Sequence, residues 1–198
     1  MSEFGDFSRY SRIIPEEHQP ALRSSLKRIP DFSWLLAKPH PTENRLQGDI
    51  LGDCPTVVID DSGVPRAKQF PVMILNNSCD LPDDRVDFVT AAPIVDFGKF
   101  LEFEKRRRSE SSLEGFAKAI RQNEKTELFY LPKFAGFEHG ALVLLHLVCS
   151  VSAKMYRNLL SAGKREASFT QVGFYFMLIK LTTHLARAES TDVQRTGG

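Results

Sequence analysis

Between residues 48 and 95 the chain alternates short apolar runs with polar, turn-forming groups, which is the texture of a β region. Pro55-Thr56-Val57-Val58-Ile59-Asp60 is a β-branched run, stopped by the turn signal Asp61-Ser62-Gly63. Gln69 to Leu75 follows and is almost continuously apolar, as in a strand covered on both faces. Pro71 brings no amide hydrogen, so it is expected at that strand's start or on a non-bonded edge. Val86 to Val95 predicts a third strand, stopped or bulged at Pro93.

The pattern then turns helical. Lys99 to Arg108 sets Phe100, Leu101 and Phe103 on a charged background. Ser111-Ser112-Leu113-Glu114 reads as a capping box, opening a helix with Leu113, Phe116, Ala117 and Ile120 on one stripe. Glu127 to Pro132 reads as a strand. Ala141 to Val151 fits a leucine-rich helix or a buried strand, and its length, valines and flanking glycine favour the strand. Ser168-Phe169-Thr170-Gln171 reads as a second capping box. The helix it opens carries Phe174, Leu178, Leu181 and Leu185 on one face, with Met177 beside them and Arg187 in its last turn.

Residues 1–45 differ. Pro15, Pro20, Pro30, Pro39 and Pro41 punctuate them, a short helix is expected over Glu16–Lys27, and Phe32, Trp34, Leu35 and Leu36 form an apolar anchor. The chain therefore divides into an N-terminal arm (1–45), a single α+β domain (46–188) and a polar, flexible tail (189–198).

Composition narrows the function classes. The 198 residues include 26 Lys and Arg against 25 Asp and Glu, a net charge of +1, so no global field draws in nucleic acid or a charged membrane. Cys54, Cys79 and Cys149 are an odd, widely spaced set without CxxC or zinc spacing, read as reduced thiols in the cytoplasm. No apolar run reaches the roughly 18 residues of a membrane helix, and the first residues lack a signal-peptide pattern. No cofactor motif is present, whether P-loop, GxGxxG or HExxH, and no metal site is expected.

The segment with the most chemistry is Asn76-Asn77-Ser78-Cys79-Asp80-Leu81, polar and nucleophilic where a buried strand ends. Cys79 is a poor nucleophile beside Asp80, because a nearby carboxylate disfavours thiolate. The alternative is structural: Asn and Asp side chains bond the loop backbone, and Cys79 plugs the core. Asp49 precedes the first strand, where it either positions a substrate or base or makes an ordinary turn. His146 reads as a core histidine. Lys105-Arg106-Arg107-Arg108 is either a phosphate grip or a solvated helix end.

Three pieces in order carry a family resemblance: Gly48-Asp49-Ile50, Pro71-Val72-Met73-Ile74-Leu75-Asn76, and Phe88-Val89-Thr90-Ala91-Ala92-Pro93-Ile94. Over residues 46–96 the chain resembles the PemK/MazF type of SH3-like barrel. Its Asn-Ser-Cys-Asp-Leu ending is similar to uncharacterised prokaryotic proteins with a Ser-x-x-Cys-Asp-Leu loop, some near defence or mobile-element genes. The resemblance implies a small, bent antiparallel barrel with helices packed outside. It also implies metal-independent cleavage of single-stranded RNA by an arginine with a hydroxyl or acid.

Two functions are expected on this basis. One is a non-catalytic interaction module of a prokaryotic defence- or toxin-type system, with a protein partner recognised through loop 76–81 by Asn76, Asn77, Cys79 and Tyr130. The other is an endoribonuclease of PemK/MazF type, with Asp80, Ser78, Asp49 and Arg85 in the site and Arg66 as a second positional candidate for the arginine.

Overall fold

The computed structural model describes residues 13–41, 43–59, 62–82 and 85–186. At its centre is a long hairpin of β2 (Ile50–Ile59) and β3 (Pro65–Ile74), turned at Gly63 with φ +79°. Asp60 and Asp61 of the expected turn lie outside the described residues. β3 pairs with β4 (Phe88–Asp96), whose other edge is shared by β6 (Ala141–Leu144) and β7 (Cys149–Ser152). Beyond β6 lies β5 (Leu128–Leu131). On the other side β2 pairs with β8 (Arg165–Phe169), and β8 with the short β1 (Leu36–Ala37). The result is one antiparallel sheet in the order β1-β8-β2-β3-β4-β6-β5, with β7 on β4. The chain is thus α+β, but its strand path is open: among the described residues no ladder joins β1 to β5.

Alternate residues of the central strands serve opposite faces. Ile50, Met73, Ala92 and Ile94 enter one core with Phe32, Leu35 and α5 (Gln171–Leu185), and Leu22 of α1 (Gln19–Leu26) joins them. Leu51, Val72, Ile74 and Ala91 enter a second core with Tyr156, Leu159 and Leu160 of α4 (Ala153–Ser161). Helices α2 (Phe97–Glu104) and α3 (Glu110–Arg121) cover Leu128 and Leu142 in a third. Burial on both faces is why Val72–Ile74 reads as a continuous apolar run. The other half of β3, Pro65–Gln69, is exposed, so the expected two-sided cover holds only near the strand's end.

Pro71 and Pro93 sit inside strands, at places where no ladder needs their missing amide. Pro71 lies opposite Gly52 and Asp53, where β2 bulges and Asp53 takes φ +53°. In β4 the Thr90 amide and carbonyl face β3, so Pro93, three residues on, turns its nitrogen to the opposite edge. There the pairing passes from β7, ending at Ala91, to β6, starting at Ile94. Pro93 therefore neither stops nor bulges its own strand; the partner bulges instead, at Leu145–Val148. That bulge splits the 141–151 run into two strands and exposes His146, which is no core histidine.

Both expected caps shift by two residues. α3 opens at Glu110 with Ser109 as N-cap, placing Ser111 inside the helix. α5 is capped by Thr170, whose hydroxyl accepts from the Gly173 amide at 2.9 Å, while Ser168 belongs to β8. The buried face of α5 is also not the Phe174/Leu178/Leu181/Leu185 stripe, for Leu185 is 70% exposed. Gly173, Phe176, Met177 and Lys180 face inward, and the Lys180 ammonium donates to the Asn123 carbonyl at 2.6 Å and to that of Lys125. A helix apolar nearly all round leaves the choice of face to its neighbours. Arg187 and residues 189–198 lie outside the described residues.

Candidate functional site

The turn from Leu46 to Asp49 gathers the predicted residues that do meet. Gly48 enters it with φ +90°, a conformation suited to glycine, and a Cβ there would fall 2.6 Å from the Phe169 ring. Consecutive amides then point at two different groups. The Leu46 amide donates to Asp49 Oδ2 at 3.0 Å, and the Gln47 amide donates to Ser78 Oγ at 2.9 Å. Asp49 and Ser78 are neighbours through this dipeptide, and neither touches the other's partner.

Asp49 is buried at the head of β2 and faces β8. Arg165 Nη2 lies 3.1 Å from its Oδ2, and the Ser168 hydroxyl donates to Oδ1 at 2.9 Å. Arg165 also donates to the carbonyls of His40 (2.7 Å), Pro41 (2.8 Å) and Asn44 (2.5 Å), so one guanidinium ties the 40–44 segment to the sheet. Burial pushes the Asp49 carboxyl above its ordinary value, against the pull of Arg165 and its two hydrogen bonds. The Tyr156 phenol is pushed up by burial and then by the Asp49 charge. Among the described residues its hydroxyl and Arg165 Nε have no hydrogen-bond partner.

The segment 76–81 ends β3 with a 3₁₀ turn over Ser78–Asp80. Its polar groups are spent largely on backbone. Asn76 Oδ1 accepts from the Thr90 amide, Asn77 Oδ1 accepts from the Cys79 amide at 3.0 Å, and Arg85 Nη1 donates to the Cys79 carbonyl at 2.8 Å. Asp80 and Cys79 are exposed, so Cys79 plugs no core. Asn76→Ala is expected to cost about 1–2 kcal/mol in denaturant unfolding, because the half-buried Thr90 amide loses its acceptor. Asp80→Ala should stay within about 0.5 kcal/mol of wild type.

Ser78 opens onto a pocket of about 520 Å³ between this turn and the start of α5. Gln47, His40, Thr170 and Gln171 supply its other polar groups, and Phe169 and Phe174 much of its apolar wall. Among the described residues that line it there is no carboxylate or guanidinium. Of the residues named from the sequence, Asn76, Asn77, Ser78, Cys79, Asp80 and Arg85 cluster at the turn, and Asp49 lies next to it. Tyr130 does not: it is on β5, beyond β4 and β6, with its hydroxyl donating to the His139 carbonyl at 3.4 Å. Arg66 sits on the exposed half of β3. Arg165, Ser168 and the α5 residues are absent from the sequence reading as site residues. A short strand with the charged pair Arg165-Glu166 carries little apolar alternation to announce it.

Burial raises the Cys54 thiol to about 11 and also raises Cys149, so neither is a thiolate at neutral pH. No group of three His, Cys, Asp or Glu among the described residues is arranged to hold a metal ion. No described helix is long and apolar enough to cross a membrane. Comparison with known protein families and with curated proteins found no match to this chain.

Proposed function

We propose that the chain is a non-catalytic binding module that takes an extended, uncharged segment of a partner protein into the pocket beside the 76–81 turn. The observation carrying this reading is the pocket's lining, in which neutral hydrogen-bonding groups surround two phenylalanine rings. Ala37 of β1 also borders it, and β1 is an end of the strand path, where an extended peptide adds by backbone hydrogen bonds. A prokaryotic defence- or toxin-type setting, and an SH3-like origin for the β2–β3–β4 part of the sheet, belong to this proposal through the resemblance alone.

A ribonuclease of PemK/MazF type needs an arginine and a hydroxyl or acid converging on one reacting position. At the turn, Arg85 is held by a backbone carbonyl and the Ser78 oxygen by a backbone amide. Arg165 is engaged by Asp49 and three carbonyls. These commitments favour binding over cleavage.

Selection of displayed random peptides against the chain is expected to enrich neutral, partly apolar sequences. Gln171→Trp, which fills the pocket mouth from an exposed position, and Phe174→Ala should each weaken those peptides about tenfold or more. Selection of no peptide, or peptides indifferent to both changes, would overturn the reading. Mixed RNA incubated with chelator should survive wild type and Asp80→Ala alike. Cleavage by wild type that Asp80→Ala or Ser78→Ala abolishes would establish the enzyme instead.

A further inference from the structure

A second surface, formed by α2, the turn after it and α3, has a chemistry of its own. The stretch from Phe97 to Lys125 holds eight Lys and Arg against five Asp and Glu, a surplus of three in a chain of net charge +1. One of those acids, Glu104, is buried and already taken, with Arg108 Nε at 2.6 Å and Arg107 Nη1 at 4.0 Å. Among the described residues no carboxylate pairs with Lys99, Lys105 or Arg106. The field that the whole-chain charge conceals is therefore concentrated here.

Aromatic rings alternate with these cations. The Arg107 guanidinium lies 5.8 Å from the Phe103 ring centre, Arg108 lies 3.9 Å and Lys125 5.6 Å from that of Phe116, and Arg121 lies 5.1 Å from that of Phe97. Phe116 and Phe97 are packed beneath their cations, whereas Phe103 is 55% exposed on the outer side of α2. Beside it is a pocket of about 530 Å³ lined by Lys99, Arg106, Phe103, His139, Asp96 and Glu102. Asp96 Oδ1 is committed to the Lys99 amide as the α2 cap, which leaves Glu102 as an acceptor for an amino group.

We propose that this surface binds single-stranded nucleic acid, with Lys99, Lys105 and Arg106 on phosphates and the Phe103 ring stacked on an unpaired base. Free cations beside an exposed ring are the two components of sequence-tolerant single-strand binding. A duplex keeps its bases stacked and offers Phe103 no face. A lipid surface calls for several exposed apolar side chains, and on these two helices Phe103 is the large one that is exposed. The proposal does not rest on the peptide pocket, which lies at the 76–81 turn and shares no lining residue with this surface.

The test is fluorescence anisotropy of labelled mixed-sequence RNA and DNA, single- and double-stranded, titrated with the chain at low and moderate salt. Single strands should bind, RNA and DNA arms reporting which sugar is preferred, with log affinity falling against log salt at a slope of about −2 for three neutralised phosphates. Lys105→Ala with Arg106→Ala should weaken binding about tenfold or more. Phe103→Ala should weaken single strands about fivefold or more while leaving the salt slope unchanged. All three side chains are exposed, and circular dichroism melts confirm that the variants fold. Gln171→Trp should bind like wild type. Absent binding, duplex held as tightly as single strand, or indifference to Phe103→Ala would overturn the proposal. So would phosphatidylserine vesicles binding in place of nucleic acid.

Discussion

Replacing Arg165 by methionine is expected to lower the unfolding free energy by about 3–5 kcal/mol, read as a shift in denaturant midpoint at constant m-value. The guanidinium is buried and serves four oxygens at once, one on Asp49 and three on the 40–44 segment. Methionine fills much of the same volume but supplies no donor, so three carbonyls lose partners and the Asp49 charge is left uncompensated. A loss under about 1 kcal/mol would mean that the 40–44 segment is held by other contacts.

The partner substitution carries a pH signature. Asp49→Asn keeps one acceptor oxygen and turns the other into a donor facing Arg165 and the Leu46 amide. Because burial raises the Asp49 carboxyl above 3.8, the native state holds more protons than the unfolded state between the two values. Its contribution is then full below about 3.8 and falls as pH rises through the folded value. The stability of wild type relative to Asp49→Asn should therefore be greatest in acid and shrink across that window. A difference that grows with pH would show that Arg165 outweighs burial at this carboxyl.

Gly173→Ala is the second large effect, and here two physical contributions disagree in sign. Within a helix, alanine is favoured over glycine by about 1 kcal/mol. In this fold the added Cβ would lie 2.0 Å from the Leu35 carbonyl oxygen and 2.9 Å from its carbon. That carbonyl cannot easily retreat, because it accepts from the Thr170 amide at 3.1 Å beside the β1–β8 pairing. The clash is with backbone, so overpacking outweighs propensity, and a net loss of about 3 kcal/mol is expected. For a domain of this size the melting temperature should fall by about 6–12 °C. A Gly173→Ala protein more stable than wild type would show that the Phe32–Leu36 segment does not seat against α5.

The 76–81 turn was legible because it ends an apolar strand with four polar residues and a cysteine, a contrast that needs no knowledge of the rest of the chain. Its chemistry was less so. Asp49 could be singled out, but its meaning depends on Ser168, 119 residues away, and on Arg165 beside it in the same strand. The pocket was hidden for the same reason: Gln47, Ser78 and Thr170 come from three separate elements. The basic run Lys105–Arg108 was visible, but its interleaving with Phe116 requires α3 to fold back on α2.

Local pattern alone determined the α+β class, the β2–β3 hairpin, β4 and β5, and the polar turn closing β3. In those segments the apolar alternation and the turn residues lie within a few positions of each other, so the pattern can be read without knowing what packs against it. Tertiary structure decided the rest. It placed β8 between β1 and β2, turned Lys180 rather than Leu185 toward the core, and let the β6–β7 bulge accommodate Pro93. It left the strand path open rather than closed. Each of these outcomes rests on a pairing between residues far apart in the chain, where the gain from burying a shared surface is set by what crosses it.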